Sequence, residues 1–350
     1  MNGPVRIDAL EAVVDVLAEP TTVRRLRQQW SRCLTGPASA APGLVVDLTG
    51  ALTTEESADE TEYRVTTRVT RAAIDAQRGR RLLLHAAGVA DPVTGRMLIL
   101  VAESGGGKTT AAAVLGRRLG YVTDETVALD DDLTALPFPK PLSVMRRGDD
   151  PYDKSQHGPD ELGLLPAPAR PTAAAVMLLA RDPERDEPPA LEAAHVLDGL
   201  LALVPQTSAL PEIDRPLSRL AALIERTGGI RRLRYREVAD AADLLSDVLG
   251  EVRATPSSVV AHPPTTPRPG YPYAPPRPFT GPVPPTVQRA DYTDAVESAG
   301  DVVVLVGANP YRLTGPAARL WLAAGRPVHS PGEVARELLA LGLLRPASGA

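Results

Sequence analysis

From Met97 to Thr110 the chain reads Met-Leu-Ile-Leu-Val-Ala-Glu-Ser-Gly-Gly-Gly-Lys-Thr-Thr, and no other stretch limits its possible folds so tightly. Met97 to Val101 is a short unbroken apolar run, as in a strand buried on both faces. Thr110 to Leu119 is Ala-rich and predicts a helix. The residues between follow G-x-x-x-x-G-K-[ST], with Ala102 at the first glycine position. Small residues let inward-facing amides approach phosphate oxygens. Lys108 supplies a cation for the outer phosphates, Thr109 a hydroxyl for Mg²⁺, and the helix N-terminus a favourable dipole. Alanine can hold a negative φ, so Ala102 bends the pattern without breaking it. The expectation is a strand–loop–helix in which Ser104, Gly105, Gly106, Gly107, Lys108, Thr109 and Thr110 surround the phosphates of a nucleotide and its Mg²⁺. A glycine-rich turn with an incidental lysine is the alternative.

The 350 residues are long enough for two domains. A formal charge of −5 argues against a general nucleic-acid binder. Arg6, Asp8, Glu11 and Asp15 interrupt the N-terminal apolar residues, so no secretory segment is read there, and no apolar run has the length of a membrane span. Cys33 is the single cysteine, which excludes an internal disulfide and a multi-cysteine zinc site. A cytoplasmic location is the expectation. Only Lys108, Lys140 and Lys154 are lysines among 38 basic residues, so a retained lysine can mark a site that needs a compact ammonium.

Twelve prolines fall between Pro256 and Pro285, in a stretch with almost no apolar periodicity. Such a segment reads as an extended linker, or as a proline-rich ligand for an aromatic groove. It divides a unit at 1–254 from a smaller one at 286–350. In the larger unit, helices are expected at Val23–Cys33, Thr67–Gln77, Ala190–Val204, Ile213–Arg226 and Ala239–Val248. Strands are expected at Gly43–Leu48, Arg81–Ala90, Arg96–Val101, Tyr121–Thr123, Thr126–Leu129 and Ala173–Leu179. This alternation is that of an α/β fold around a mostly buried sheet. The polar run Met145–His157 reads as a solvated loop or a substrate-facing flap.

Phosphoryl transfer needs carboxylates beside the phosphate loop, and Asp124-Glu125 follows the loop helix after only four residues, Gly120 to Thr123. One acid can hold Mg²⁺ while the other takes the acceptor's proton. Asp130-Asp131-Asp132 is a rival cluster that reads better as a solvated turn. His85 lies in an apolar strand and is open to a core or a catalytic role. Lys140 sits in Pro137-Phe-Pro-Lys-Pro141, where prolines fix the direction of its ammonium; it can contact transferring phosphate or lie on the surface.

Leu84-His85-Ala-Ala-Gly88, the glycine-rich loop, Tyr121-Val-Thr-Asp-Glu125 and Pro137-Phe-Pro-Lys-Pro-Leu142 together resemble HPr serine kinase/phosphorylase-related proteins, whose nucleotide fold is shared with phosphoenolpyruvate carboxykinase. The resemblance spans about residues 80 to 250, including Arg232-Leu-Arg-Tyr235 and the helix after it. It implies a P-loop α/β nucleotide-binding domain. It also implies a site that His85 joins and in which Asp124 or Glu125 supplies the base and the metal contact; Asp124 is taken as base, Thr109 and Glu125 for Mg²⁺, and Lys140 for developing charge. Asp-Asp is usual in that family, so Glu125 leaves the division of roles open.

In the smaller unit Asp301–Val306 reads as a strand, and Tyr311–Leu313 as its hairpin partner. Helices follow from Thr314 to Leu322 and after Ser330, where Ser330, Pro331 and Glu333 have the form of a capping box. Tyr311-Arg-Leu-Thr-Gly-Pro-Ala-Ala-Arg-Leu-Trp321 is similar to PqqD-like peptide-recognition domains, small winged-helix α+β units of ribosomal-peptide modification. That resemblance implies a leader peptide added as a strand, with Val303, Val304, Leu305, Val306, Val334 and Leu338 as contacts. A dimerisation or DNA-binding winged helix is the alternative, though Arg336 is the one base on the last helix. The two likenesses imply an ATP-dependent kinase for a hydroxyl on a ribosomally made precursor peptide. The other readings are a non-catalytic ATP-binding delivery partner of a peptide-modifying enzyme, possible as a homo-oligomer, and small-acid chemistry of the carboxykinase kind.

Overall fold

The computed structural model describes residues 3–36, 41–49, 58–145, 154–251, 257–264, 279, 281–329 and 332–347. Its centre is a seven-stranded sheet. The strand order is Leu165–Pro166, Gly120–Thr123, Ala86–Ala90, Arg96–Val101, Thr172–Arg181, Ile230–Tyr235, Ala190–Ala194. Arg96–Val101, Thr172–Arg181 and Ile230–Tyr235 run parallel, with antiparallel neighbours on both sides. The apolar run at Met97–Val101 follows from this central position. Met97, Ile99 and Val101 enter one core, beside helices Val196–Leu203 and Pro216–Arg226. Leu98 and Leu100 enter the other, beside helices Lys108–Leu115 and Ala242–Glu251. The result is the mixed α/β architecture expected from the alternation of elements.

A smaller four-stranded sheet lies against this one, ordered Thr207–Ser208, Leu82–Leu84, Val127–Leu129, Ala135–Leu136. Here the structure corrects the single strand expected over Arg81–Ala90. The chain leaves the small sheet after Leu84, bends at His85 and enters the large sheet at Ala86. It changes sheets again between Thr123 and Val127, so Asp124, Glu125 and Thr126 form the second crossing. The two crossings are adjacent: the Ala86 amide donates to the Glu125 carbonyl at 3.1 Å.

Ala190–Ala194 is a second correction. It consists of good helix formers yet pairs antiparallel with Ile230–Tyr235, with Arg234 bridging Glu192 at 2.7 Å. Edge pairing outweighs propensity there, and the helix starts only at Val196, where the His195 ring accepts from the Leu197 amide. Ile230–Tyr235 itself carries three arginines, but Ile230, Leu233 and Tyr235 are its buried positions.

The N-terminal residues form a hairpin, Val5–Ala9 with Ala12–Leu17, to which Leu44–Asp47 adds in parallel. Helices Pro20–Gln29 and Ala58–Gln77 pack on it, and Val65, Val69 and Ala73 supply the buried stripe of the longer one. Trp30 meets Phe138 with ring centroids 6.3 Å apart, which ties this module to the segment carrying Lys140.

In the C-terminal unit, Asp294–Ser298, Asp301–Val306 and Asn309–Leu313 form a meander. Val260–Ala261, inside the proline-rich stretch, pairs with Asp294–Ser298 as a fourth strand. That stretch is therefore pinned at Val260–Ala261. Thr286–Arg289 pairs with Val328–His329 and Leu344–Pro346 beside helices Gly315–Ala323 and Glu333–Ala340. Gly332 is the N-cap of the last helix, while Ser330 and Pro331 of the expected capping box lie outside the described residues. The unit is docked: Val296, Val303 and Leu305 belong to the same core cluster as Leu217 and Leu220.

Candidate functional site

The loop between Val101 and Lys108 is held by its own geometry. Gly105 and Gly107 have φ of +79° and +87°, which L side chains rarely adopt. A Cβ on Gly106 would stand 2.6 Å from the Ala102 Cβ and 3.0 Å from the Glu103 carbonyl oxygen. Ala102 keeps a negative φ, so nothing in the backbone demands glycine there. The Lys108 ammonium donates to the carbonyls of Ala102 at 2.8 Å and Glu103 at 3.2 Å, curling the loop around it. Burial lowers its pKa, against the pull of Glu125 and Asp124.

At the second residue of the helix, the Thr109 hydroxyl donates to Asp124 Oδ2 at 3.0 Å. The other oxygen, Oδ1, accepts from the Tyr121 hydroxyl at 3.0 Å and lies 2.9 Å from Lys140 Nζ. Lys140 Nζ also lies 3.1 Å from Glu125 Oε2 and donates to the Pro141 carbonyl at 3.0 Å. Lys140 is buried, with a side chain 1% exposed, so a surface role is excluded. Burial alone would depress its pKa, yet the two carboxylates raise it above the ordinary lysine value. The Glu125 carboxyl meets the converse balance: burial pushes its pKa up, and the Lys140 charge and hydrogen bond bring it below the usual value. Tyr121, fully buried beside Asp124, is held well above the ordinary phenol range, first by burial.

The two acids differ in access. The Asp124 side chain is 2% exposed and that of Glu125 is 37% exposed. Glu125 Oε2 also accepts from the Thr70 hydroxyl at 3.4 Å, from the long helix of the N-terminal module. His85 is half-buried at the other sheet crossing. Burial and then the Lys108 charge lower its pKa, against the pull of Glu125 and Asp124, which favours the neutral imidazole. The structure thus brings Lys108, Thr109, Asp124, Glu125, Lys140 and His85 together, and it pairs Thr109 with Asp124 rather than Glu125. Ser104 and Gly105 are exposed on the loop, and Thr110 lies on the helix. Asp130 accepts from the amides of Asp132 and Thr134, and Asp131 pairs with Arg219, so that cluster is a surface turn.

Sequence reasoning missed two contributors. Tyr121, three residues before Asp124, carried the signal of its spacing. Thr70 carried none. A third residue, Tyr235, places its hydroxyl 3.2 Å from where a Gly107 Cβ would stand.

The strand-addition contacts need correction. Val303, Val304, Leu305 and Val306 are 0–1% exposed, and their strand has partners on both sides. Leu338 is buried as well; of the six, only Val334 keeps partial exposure. The inner strand has no edge to offer. Asp294–Ser298 is covered by Val260–Ala261, so the strands with one partner among the described residues are the two-residue Val260–Ala261 and the longer Asn309–Leu313.

Among the described residues no three His, Cys, Asp or Glu side chains are grouped to hold a metal, and no helix is long and apolar enough to cross a membrane. No family model matches the chain, and no curated protein matches it. Among solved structures, the Hpr(Ser) kinase/phosphatase from Coxiella burnetii is similar over 48% of this chain and 93% of that one, at 11% identity and a TM-score of 0.27. That is a weak, partial resemblance to the kinase/phosphatase fold.

Proposed function

We propose that this protein is an ATP-dependent kinase that phosphorylates a hydroxyl, of serine above all, on a ribosomally made precursor peptide. The observation that carries the reading is the meeting of a lysine-bearing glycine loop with a buried lysine–dicarboxylate cluster, where two chain segments change sheets. Ser104 to Thr110 would cradle the phosphates, with Lys108 turning from its own loop carbonyls to the outer ones. Asp124, whose Oδ2 meets the Thr109 hydroxyl, suits Mg²⁺, which keeps water and phosphate oxygens as most of its ligands and asks for only one or two carboxylates. When bound, Mg²⁺ would neutralise charge on the phosphates.

The geometry favours Glu125 over Asp124 as base. Both Asp124 oxygens have partners, whereas Glu125 is the more accessible acid and engages Lys140 and Thr70 through Oε2 alone. Its carboxylate would take the proton of the acceptor hydroxyl as that oxygen bonds to the γ-phosphorus. The bond to the β–γ bridging oxygen breaks, and ADP leaves with the electron pair. Lys140 would fix both acids and offset developing charge, and His85 would line the site. A peptide strand would add to Asn309–Leu313.

The test is the intact mass of a serine-containing precursor peptide after incubation with Mg-ATP. A phosphate-sized gain that disappears in Lys108→Ala and Glu125→Gln is the expected result. ATP binding, measured by calorimetry, should be lost only in Lys108→Ala. No gain, with peptide and ATP both still bound, overturns the kinase and leaves a nucleotide-binding delivery partner.

A further inference from the structure

The N-terminal module has an open sheet edge that the phosphoryl-transfer reading does not use. Leu44–Asp47 is the last strand of its sheet, paired with Ala12–Leu17 on one side and with no strand on the other among the described residues. Leu44 and Val45 are 36% and 53% exposed, unusual for large apolar residues of a strand. A groove of about 670 Å³ runs between this strand and the second half of the long helix, floored by Val13, Leu44 and Ala72.

The charges on the groove's walls are not balanced. Its acids are already engaged: Glu11 by Gln77, Arg80 and Arg81, and Asp75 by Arg78. Arg68 and Arg71, both exposed on the helical wall, have no carboxylate within ion-pairing distance among the described residues. What remains unsatisfied is a row of strand amides and carbonyls, an apolar floor and two cations. These are the complements of an extended polypeptide that alternates acidic and apolar side chains.

We propose that this groove is a docking site for an acidic, extended segment of a partner polypeptide, which adds as a fourth strand beside Leu44–Asp47 and places carboxylates on Arg68 and Arg71. The site lies on a different face of the helix from Thr70, which contacts Glu125. Binding here leaves the candidate active site free, and the proposal stands whether or not that site transfers phosphate.

The probe is a fluorescein-labelled ten-residue peptide of alternating Glu and Val, titrated with the full chain and read by fluorescence anisotropy. Saturable binding is expected, weakening with salt and falling at least tenfold in Arg68→Glu/Arg71→Glu. That variant should in turn prefer the peptide with Lys in place of Glu. Val45→Glu, which adds negative charge on the strand itself, should weaken the Glu–Val peptide while leaving the arginines intact, and a peptide interrupted by prolines should not bind. No binding at millimolar peptide, or equal binding by the charge-reversed protein, overturns the proposal. Self-association of the full chain that the same reversal abolishes would also overturn it, by giving the groove to a second copy.

Discussion

The lysine between the two acids is the residue on which the site turns. Lys140 and Asp124 are both almost inaccessible, so each is tolerable only because of the other. Lys140→Met should destabilise the protein by about 3–5 kcal/mol, because it leaves a buried carboxylate uncompensated; chemical denaturation measures this. Adding Asp124→Asn to that variant should recover part of the loss. The pH dependence has two signs. Glu125 has its pKa lowered in the fold, so its share of stability is present above the ordinary carboxylate value and is lost as pH falls through the lowered one. Lys140 has its pKa raised, so its share is present below the ordinary lysine value and is lost as pH rises through the raised one. The melting temperature should therefore stay level between about pH 5 and 10 with respect to this pair and fall on both sides. His85 should titrate below the usual imidazole value, and Lys108→Ala should move it upward by removing a nearby cation; proton NMR of the ring reads both.

At the scale of elements, the glycine loop shows which letters of a motif are structural demands. Gly107 begins the helix at a positive φ, so Gly107→Ala should cost about 1–2 kcal/mol and weaken ATP binding. Ala102→Gly completes the consensus pattern but meets no need of the backbone, so it should leave affinity unchanged. Gly106→Ala should be the most damaging, since its new Cβ would fall on that of Ala102. Ala102→Gly should partly rescue it, an outcome that nucleotide titration of the double variant checks. The sequence made this strand, loop and helix legible because all their determinants are local. It did not reveal Ala190–Ala194 as a strand, because its partner, Ile230–Tyr235, lies about forty residues further along the chain.

At the scale of the whole molecule, the C-terminal unit is not a loosely tethered bead. Arg215, at the N-cap of helix Pro216–Arg226, has a left-handed backbone and makes no side-chain cap. Asp294 from the C-terminal unit takes that role, accepting from the Ser218 amide at 2.9 Å and its hydroxyl at 3.2 Å. Asp294→Ala should cost about 1–2 kcal/mol, as loss of a cap does. It should also raise amide exchange in both the helix's first turn and Asp294–Ser298, whereas Asp294→Asn should stay close to the parent. Ser258, whose amide donates to Glu225 at 2.7 Å, and Val259, packed on the central core, fasten the proline-rich segment to the same helix.

The sequence by itself determined the α/β alternation, the glycine loop with Lys108 and Thr109, and the acidic pair near it. Each is written in neighbouring residues or in a short period. Only the tertiary structure decided that His85 and Asp124-Glu125 are crossings between two sheets, that Lys140 is buried between the acids, and that Thr70 and Tyr121 support them. It also placed Val303 to Val306 inside a sheet rather than at its edge. Those facts depend on which strands pair and which faces are covered, and pairing across tens or hundreds of residues leaves no periodic trace in the chain.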